Sequence, residues 1–229
     1  MVNLMKLEMR RVNIRNVWIS FLSINAGIIG ILLLFEIDPE ITKEFYTSYD
    51  DVFFFLELMV AAAFVIYASV LLSQLIVEEF RDKTVSVLFM YPVNRKKLLF
   101  AKLMVVSMLT FLFIVSSGII VFTGFYWINE INSYILEPLS SQFLREKIIH
   151  LIVMAIACAG MSLIPLAFGM IKYSVQATIT SSILIIAILS SSVGNGTNLF
   201  SFIGVPIFLG MIGFMIAAMV ISKSVRKDF

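Results

Sequence analysis

The sequence predicts an all-α, polytopic membrane protein, and three observations carry that reading. Of the 229 residues, 60% are apolar and only 14% charged, whereas a soluble domain is about half apolar and about a quarter charged. The mean hydropathy of +1.01 is more than a soluble globule of this size can cover with so few charges. The formal charges are also clustered, and the uncharged intervals between clusters have the length that crosses a bilayer, about 20 residues.

Each span follows from its bracketing charges. Arg15 and Glu36 bracket the first, expected over 17–35. Glu57 and Glu78 bracket the second, which with its apolar lead-in covers 52–77. Lys102 and Glu130 mark the third (98–128), and Lys147 and Lys172 the fourth (148–171). No formal charge lies between Lys172 and Lys223, too long an interval for one helix. The turn formers Gly194-Asn195-Gly196-Thr197-Asn198 divide it into spans over 173–193 and 199–221. The expectation is six transmembrane helices in a single domain, 1–229, with an N-terminal interfacial helix over 1–16. The first apolar run is longer than a signal-peptide core and is followed by Glu36-Ile37-Asp38-Pro39 instead of a small-residue cleavage site, so it is expected to remain in place. Pro165 permits a kink in span four, and Pro206, between Gly204 and Gly210, either a kink or a short re-entrant stretch in span six.

Orientation follows from lysine and arginine. One alternate set of connecting segments holds 14 of the 17, and the other holds only Lys43, Arg145 and Lys147. The acids lean the opposite way, with 10 of 15 on that second set, leaving net charges of +9 and −7. The positive-inside bias puts both termini in the cytoplasm, with the chain crossing the membrane repeatedly. Trp18, Tyr46, Tyr49, Phe125, Tyr126 and Trp127 fall at span ends, where aromatic rings favour the headgroup zone.

Several chemistries are excluded by what the spans lack. The single cysteine, Cys158, rules out an internal disulfide and a cysteine-based metal cage. Ion-coupled transport needs ionisable groups at mid-bilayer. Glu57 and His150 are instead expected at the outer headgroups, and Lys172 closes an inner end where its ammonium can snorkel. The serines at 181, 182 and 190–192 lack a nucleophile elbow and a histidine at matching depth. Small residues of this kind usually serve close helix packing. Glu78-Glu79 resembles the paired glutamates of CAAX-type intramembrane proteases, but the further histidine ligands such a metal needs are missing. Asn195-Gly196-Thr197 reads as a turn more than as a glycosylation site. No phosphate-binding Gly-x-x-x-x-Gly-Lys loop occurs, and the net charge of +2 gives no footprint for nucleic acid.

The informative segment is the inner connection between spans two and three. Residues 78–91 suit an amphipathic helix: Phe80, Thr84, Val87, Leu88 and Tyr91 share one stripe, acids lead the first turn, and Pro92 stops the helix. On periodicity alone, such a helix either anchors the loop at the membrane surface or presents its charged end to a partner. The run from Glu79 through Lys83-Thr84 to Leu88, Tyr91-Pro92-Val93, Arg95 and Lys102 resembles the inner loop of ABC-2 type permeases, the membrane subunits of ATP-binding-cassette exporters. The N-terminal basic segment, six spans and short outer loops extend the resemblance over the whole chain. It implies that 78–91 is a coupling helix that docks in the ATPase subunit through Glu78, Glu79, Phe80, Arg81, Asp82, Lys83 and Thr84. The run Asp82-Lys83-Thr84 departs from the many members that have a glycine before Thr.

The N-terminal segment gives two narrow apolar stripes, Leu4/Leu7/Ile14/Trp18 and Val2/Met5/Met9/Val12, which fit a helix held between lipid and protein. The resemblance implies a connecting helix flanking the ATPase, with Arg10, Arg11 and Arg15 meeting either lipid phosphates or the partner. It further implies a second permease copy or homologue, cytoplasmic ABC ATPase subunits that hold the ATP and magnesium, and no cofactor, catalytic residue or metal ligand in this chain. The apolar walls suit a hydrophobic or amphipathic exported substrate, and size and loop style resemble bacterial exporters of amphipathic peptides such as phenol-soluble modulins. The contrasting reading is a non-transporting sensor or scaffold that binds a soluble partner through its inner helix.

Overall fold

The computed structural model describes residues 5, 7–9, 13–35, 37, 48–82, 95–132, 134–135, 139–191 and 198–226. The chain runs α1 (Ile14–Phe35), α2 (Tyr49–Leu72), one π-helical turn (Ser73–Val77), α3 (Glu78–Arg81), α4 (Arg95–Asn132), α5 (Ser141–Met161), α6 (Pro165–Lys172), α7 (Val175–Ser190), a 3-10 turn (Leu199–Ser201) and α8 (Gly204–Arg226). Among the described residues, five helices are long and apolar enough to cross a membrane: Ile14–Phe35, Tyr49–Arg81, Lys96–Asn132, Ser141–Ile171 and Gly204–Ser222. The all-α, multi-pass architecture therefore stands. α7 has 16 residues and is about 24 Å long, short of a hydrocarbon core of about 30 Å.

Local sequence sets the helix ends. Ser48 caps α2 by accepting from the Asp51 amide at 3.2 Å and donating its hydroxyl to Asp51 Oδ2 at 2.7 Å, with Asp50 and Asp51 in the first turn. Ser140 and Ser174 cap α5 and α7 by accepting from the Phe143 and Ala177 amides, each at 3.3 Å. Pro165 opens α6 after a turn at 162–164 that interrupts the helix of the fourth span at the point where the sequence permits a kink. Pro206 lies in the first turn of α8, where a missing N–H removes no helical bond, so it does not kink the helix. The glycine–asparagine break at 194–197 lies outside the described residues.

Packing relies on small and hydroxylated residues, because lipid offers no hydrophobic drive between helices. α8 packs chiefly on α5, and the two backbones meet at glycines. A Cβ added at Gly213 would sit 2.0 Å from the Gly160 carbonyl oxygen, and one at Gly210 would sit 2.7 Å from that of Ala157. α1 joins α4 through a buried bond from Ser117 Oγ to Asn25 Oδ1 at 2.7 Å. α2 joins α7 through Ser69 and Ser182 hydroxyls 2.9 Å apart. Phe21, Phe64 and Phe113 fill the space among α1, α2 and α4, with ring centroids 5.0 to 5.8 Å apart. Outside this core, Ile19, Leu22, Leu34, Leu184, Ile188, Phe208 and Met219 are exposed, as a bilayer permits.

Candidate functional site

The bundle has two unlike ends. At the acidic end, Asp50 and Lys147 pair at 2.5 Å, and the ammonium also lies over the Phe53 and Phe143 rings. His150 Nδ1 lies 3.0 and 3.1 Å from the two Glu57 carboxylate oxygens. Glu57 is 4% exposed, so this carboxylate is enclosed between its own helix α2 and His150 of α5. Asn129 ties this end together by donating to the Tyr49 hydroxyl at 2.8 Å and bonding the Ile135 backbone.

The basic end holds the segment that the sequence singles out. The α2 helix does not stop where a separate inner helix is expected to begin at 78. It continues through the π turn into α3, and the Glu78 amide reaches back five residues to the Ser73 carbonyl. Ser69 and Ser73 donate their hydroxyls to carbonyls three residues earlier, just ahead of and within this turn. Of the seven residues expected to dock a partner, five are described. Glu78, Arg81 and Asp82 face outward, with Arg81 Nε bonded to Asp82 Oδ1 at 2.9 Å. Glu79 and Phe80 turn inward. Lys83, Thr84 and the remainder of the expected helix to 91 lie outside the described residues, as do Arg10 and Arg11; Arg15 is exposed near the start of α1.

Inward, Glu79 meets Lys102. The ammonium is fully enclosed, pairs directly with the Glu79 carboxylate and donates to the Leu75 carbonyl at 2.9 Å. Glu8, from the N-terminal segment, places Oε2 at 3.7 Å from the same nitrogen. A lysine with no access to water is tolerated only when paired and hydrogen-bonded, and here three chain segments supply the partners. The sequence carries both Glu79 and Lys102 in one motif, yet nothing in their spacing pairs them across 23 positions.

Phe80 packs flat on Tyr173, rings 5.9 Å apart and 5° from parallel. Tyr173 is the only non-glycine residue of positive φ among those described, at 49°, and forms the left-handed cap that ends α6. Its neighbour Gly169 has no room for a side chain, since a Cβ there would meet Thr178 Oγ1 at 2.1 Å and Val77 Cγ2 at 3.1 Å. The π turn, α3 and the α6–α7 connection therefore form one packed unit. Its surface is a polar cleft of about 450 Å³ lined by Glu78, Arg81, Tyr173, Ser174, Val175 and Gln176. On the flank, α1 and α4 enclose a groove of about 440 Å³ lined almost wholly by apolar side chains, including Trp18, Phe21, Leu112 and Phe113. Among the described residues, no group of His, Cys, Asp and Glu is arranged to hold a metal ion.

No solved structure shows a significant match to this chain. It is 33% identical over 228 residues to the uncharacterized protein YcbO of Bacillus subtilis (strain 168), an alignment covering 99% of this chain and 100% of the relative. Residues 4–159 match the family described as ABC-2 family transporter protein. That stretch takes in the Glu8–Lys102–Glu79 cluster, the π turn and the Glu57–His150 pair. The chain belongs to the ABC-2 family, as a multi-pass membrane component of a transporter.

Proposed function

We propose that the chain is the permease subunit of an ATP-driven exporter, paired with a second permease copy or homologue, and that cytoplasmic ATPase subunits dock at its basic end. The observation that carries this reading is the polar cleft beside Glu78, Arg81 and Asp82, built on a unit packed into the bundle. A segment that only anchored a loop would bury its charges at phosphates and need no connection to the helices behind it. Here a push on 78–82 is transmitted to α2 through the π turn, to α4 through Lys102 and to α7 through Tyr173 and Gly169.

In this reading the basic end faces the cytoplasm of a bacterial plasma membrane, as the charge asymmetry favours. ATP and magnesium are held by the partner, and this chain contributes no catalytic group. The apolar groove and the exposed Phe, Met and Ile surface favour a hydrophobic or amphipathic cargo, with an amphipathic peptide the best fit. The docking role falls on Glu78, Arg81 and Asp82 among the described residues, while Glu79 and Phe80 act from behind them.

Photocross-linking in living cells tests this assignment. A photoreactive residue replacing Arg81 or Gln176 is expected to give adducts with a protein carrying a Gly-x-x-x-x-Gly-Lys nucleotide loop. The same residue replacing Trp127, at the opposite end, is expected to give none. ATPase adducts from position 127, or adducts from 81 and 176 with lipid alone, would contradict the assignment.

A further inference from the structure

The π turn sits between a membrane span and the residues assigned to docking, so its register decides which side chains those residues present. A π turn holds one more residue than an α-helical path of the same length. If it relaxed to α geometry, every residue after it would advance by one position, a rotation of about 100° with a rise of about 1.5 Å. Glu78 would then enter the seat that Glu79 now holds against Lys102. Glu79 would enter the seat of Phe80 on Tyr173, and Phe80 would emerge where Arg81 now lies, at a side-chain exposure of 52%.

Two features suit the segment to such a change. The consecutive acids Glu78 and Glu79 mean that a carboxylate faces Lys102 in either register. Glu8 Oε2, buried and without a hydrogen-bond partner, waits 3.7 Å from the ammonium, so Lys102 keeps a counter-charge while the two acids exchange. In the present register, Lys102 satisfies both the Glu79 carboxylate and the Leu75 carbonyl inside the π turn.

We propose that Lys102 is a positioning residue that holds the Ser73–Val77 turn in its π register, and that one-residue slippage of this turn exposes Phe80 as an apolar anchor for the docked partner. The inference rests on the reading that 78–82 meets a partner, but its test needs none. A single-cysteine chain, Cys158→Ser with Phe80→Cys, is purified in detergent and its labelling by a hydrophilic maleimide is timed. With Glu79 in place the thiol sits behind Tyr173 and reacts slowly. Glu79→Leu removes the acid from the seat, so Lys102 draws Glu78 into it, leucine takes the apolar seat, and labelling accelerates by about tenfold or more. Glu79→Gln, which keeps size and polarity, shifts the rate in the same direction should the leucine variant fail to fold.

Deleting Gln74, the exposed residue of the turn, removes the extra residue while leaving the later side chains on their present faces. In that background neither Glu79 substitution should accelerate labelling, because no slack remains to slip. Acceleration that persists after the deletion would show general loosening and overturn the proposal, as would an unchanged rate in both Glu79 variants. The labelling result stands whether or not an ATPase is captured from cells, so the two readings fail separately.

Discussion

Gly213→Val is expected to detach α8 from α5 and to lower the midpoint of thermal unfolding in detergent more than any other single change to the helix packing. The Cβ alone would lie 2.0 Å from the Gly160 carbonyl oxygen, with Ile164 Cγ1 at 3.3 Å behind it. The obstacle is backbone, so no rotamer change relieves it, and the helices must separate along their most extensive contact. Overpacking of a filled core costs about 1–3 kcal/mol, and a backbone clash belongs at the upper end of that range. Gly30→Ala is the control. Nothing lies within 4 Å of its added Cβ, and alanine is the better helix former by about 1 kcal/mol, so the isolated chain should be unchanged or slightly more stable. Equal losses from both substitutions would contradict the close approach of α5 and α8.

Lys102→Met is the second large effect. It leaves the Glu79 and Glu8 carboxylates enclosed together without their cation and strips the Leu75 carbonyl of its donor. Removing one member of a buried ionic cluster costs about 3–5 kcal/mol, whereas replacing the whole cluster with apolar residues is often neutral. The triple variant Glu8→Leu/Glu79→Leu/Lys102→Leu is therefore expected to regain most of the stability that Lys102→Met loses, read as unfolding midpoints side by side. A triple variant less stable than the single one would show that the three residues do not act as a closed electrostatic unit.

The all-α, multi-pass character was legible in the sequence because charge is excluded from a hydrocarbon core, and a charge-free interval such as 16–35 or 103–129 needs no tertiary information to read. What the charged side chains at the span ends meet was not legible in the same way. Charges at span ends normally reach the headgroups, which is why Glu57 was expected there. The structure encloses it against His150, 93 positions away. Which way an ionisable group turns at a span end depends on what the neighbouring helices place beside it, and one sequence does not contain that. Glu79 illustrates the limit within a motif. An amphipathic stripe through Phe80, Thr84 and Leu88 marks the apolar face of 78–91, but the π turn shifts the phase between that segment and α2. Facing was therefore unreadable from a constant period. The cleft formed with residues 173–176 was equally hidden, since it joins segments more than 90 positions apart and depends on the left-handed backbone of Tyr173.

Engagement of an ATPase by the basic end of this chain is tested most directly by co-purification. A tagged wild-type chain and a Glu78→Lys/Asp82→Lys variant are solubilised from the host membrane, captured, and assayed for ATP hydrolysis, with the bound subunits identified by mass spectrometry. Both substituted side chains are outward-facing, so the variant keeps the Glu79–Lys102 pair and the fold. Wild type is expected to bring down a subunit with a phosphate-binding loop and ATPase activity, and the variant to lose both. A folded wild-type chain that captures no ATPase, or a variant that captures it as well as wild type, would contradict the account and favour a scaffold that binds some other soluble partner through this end.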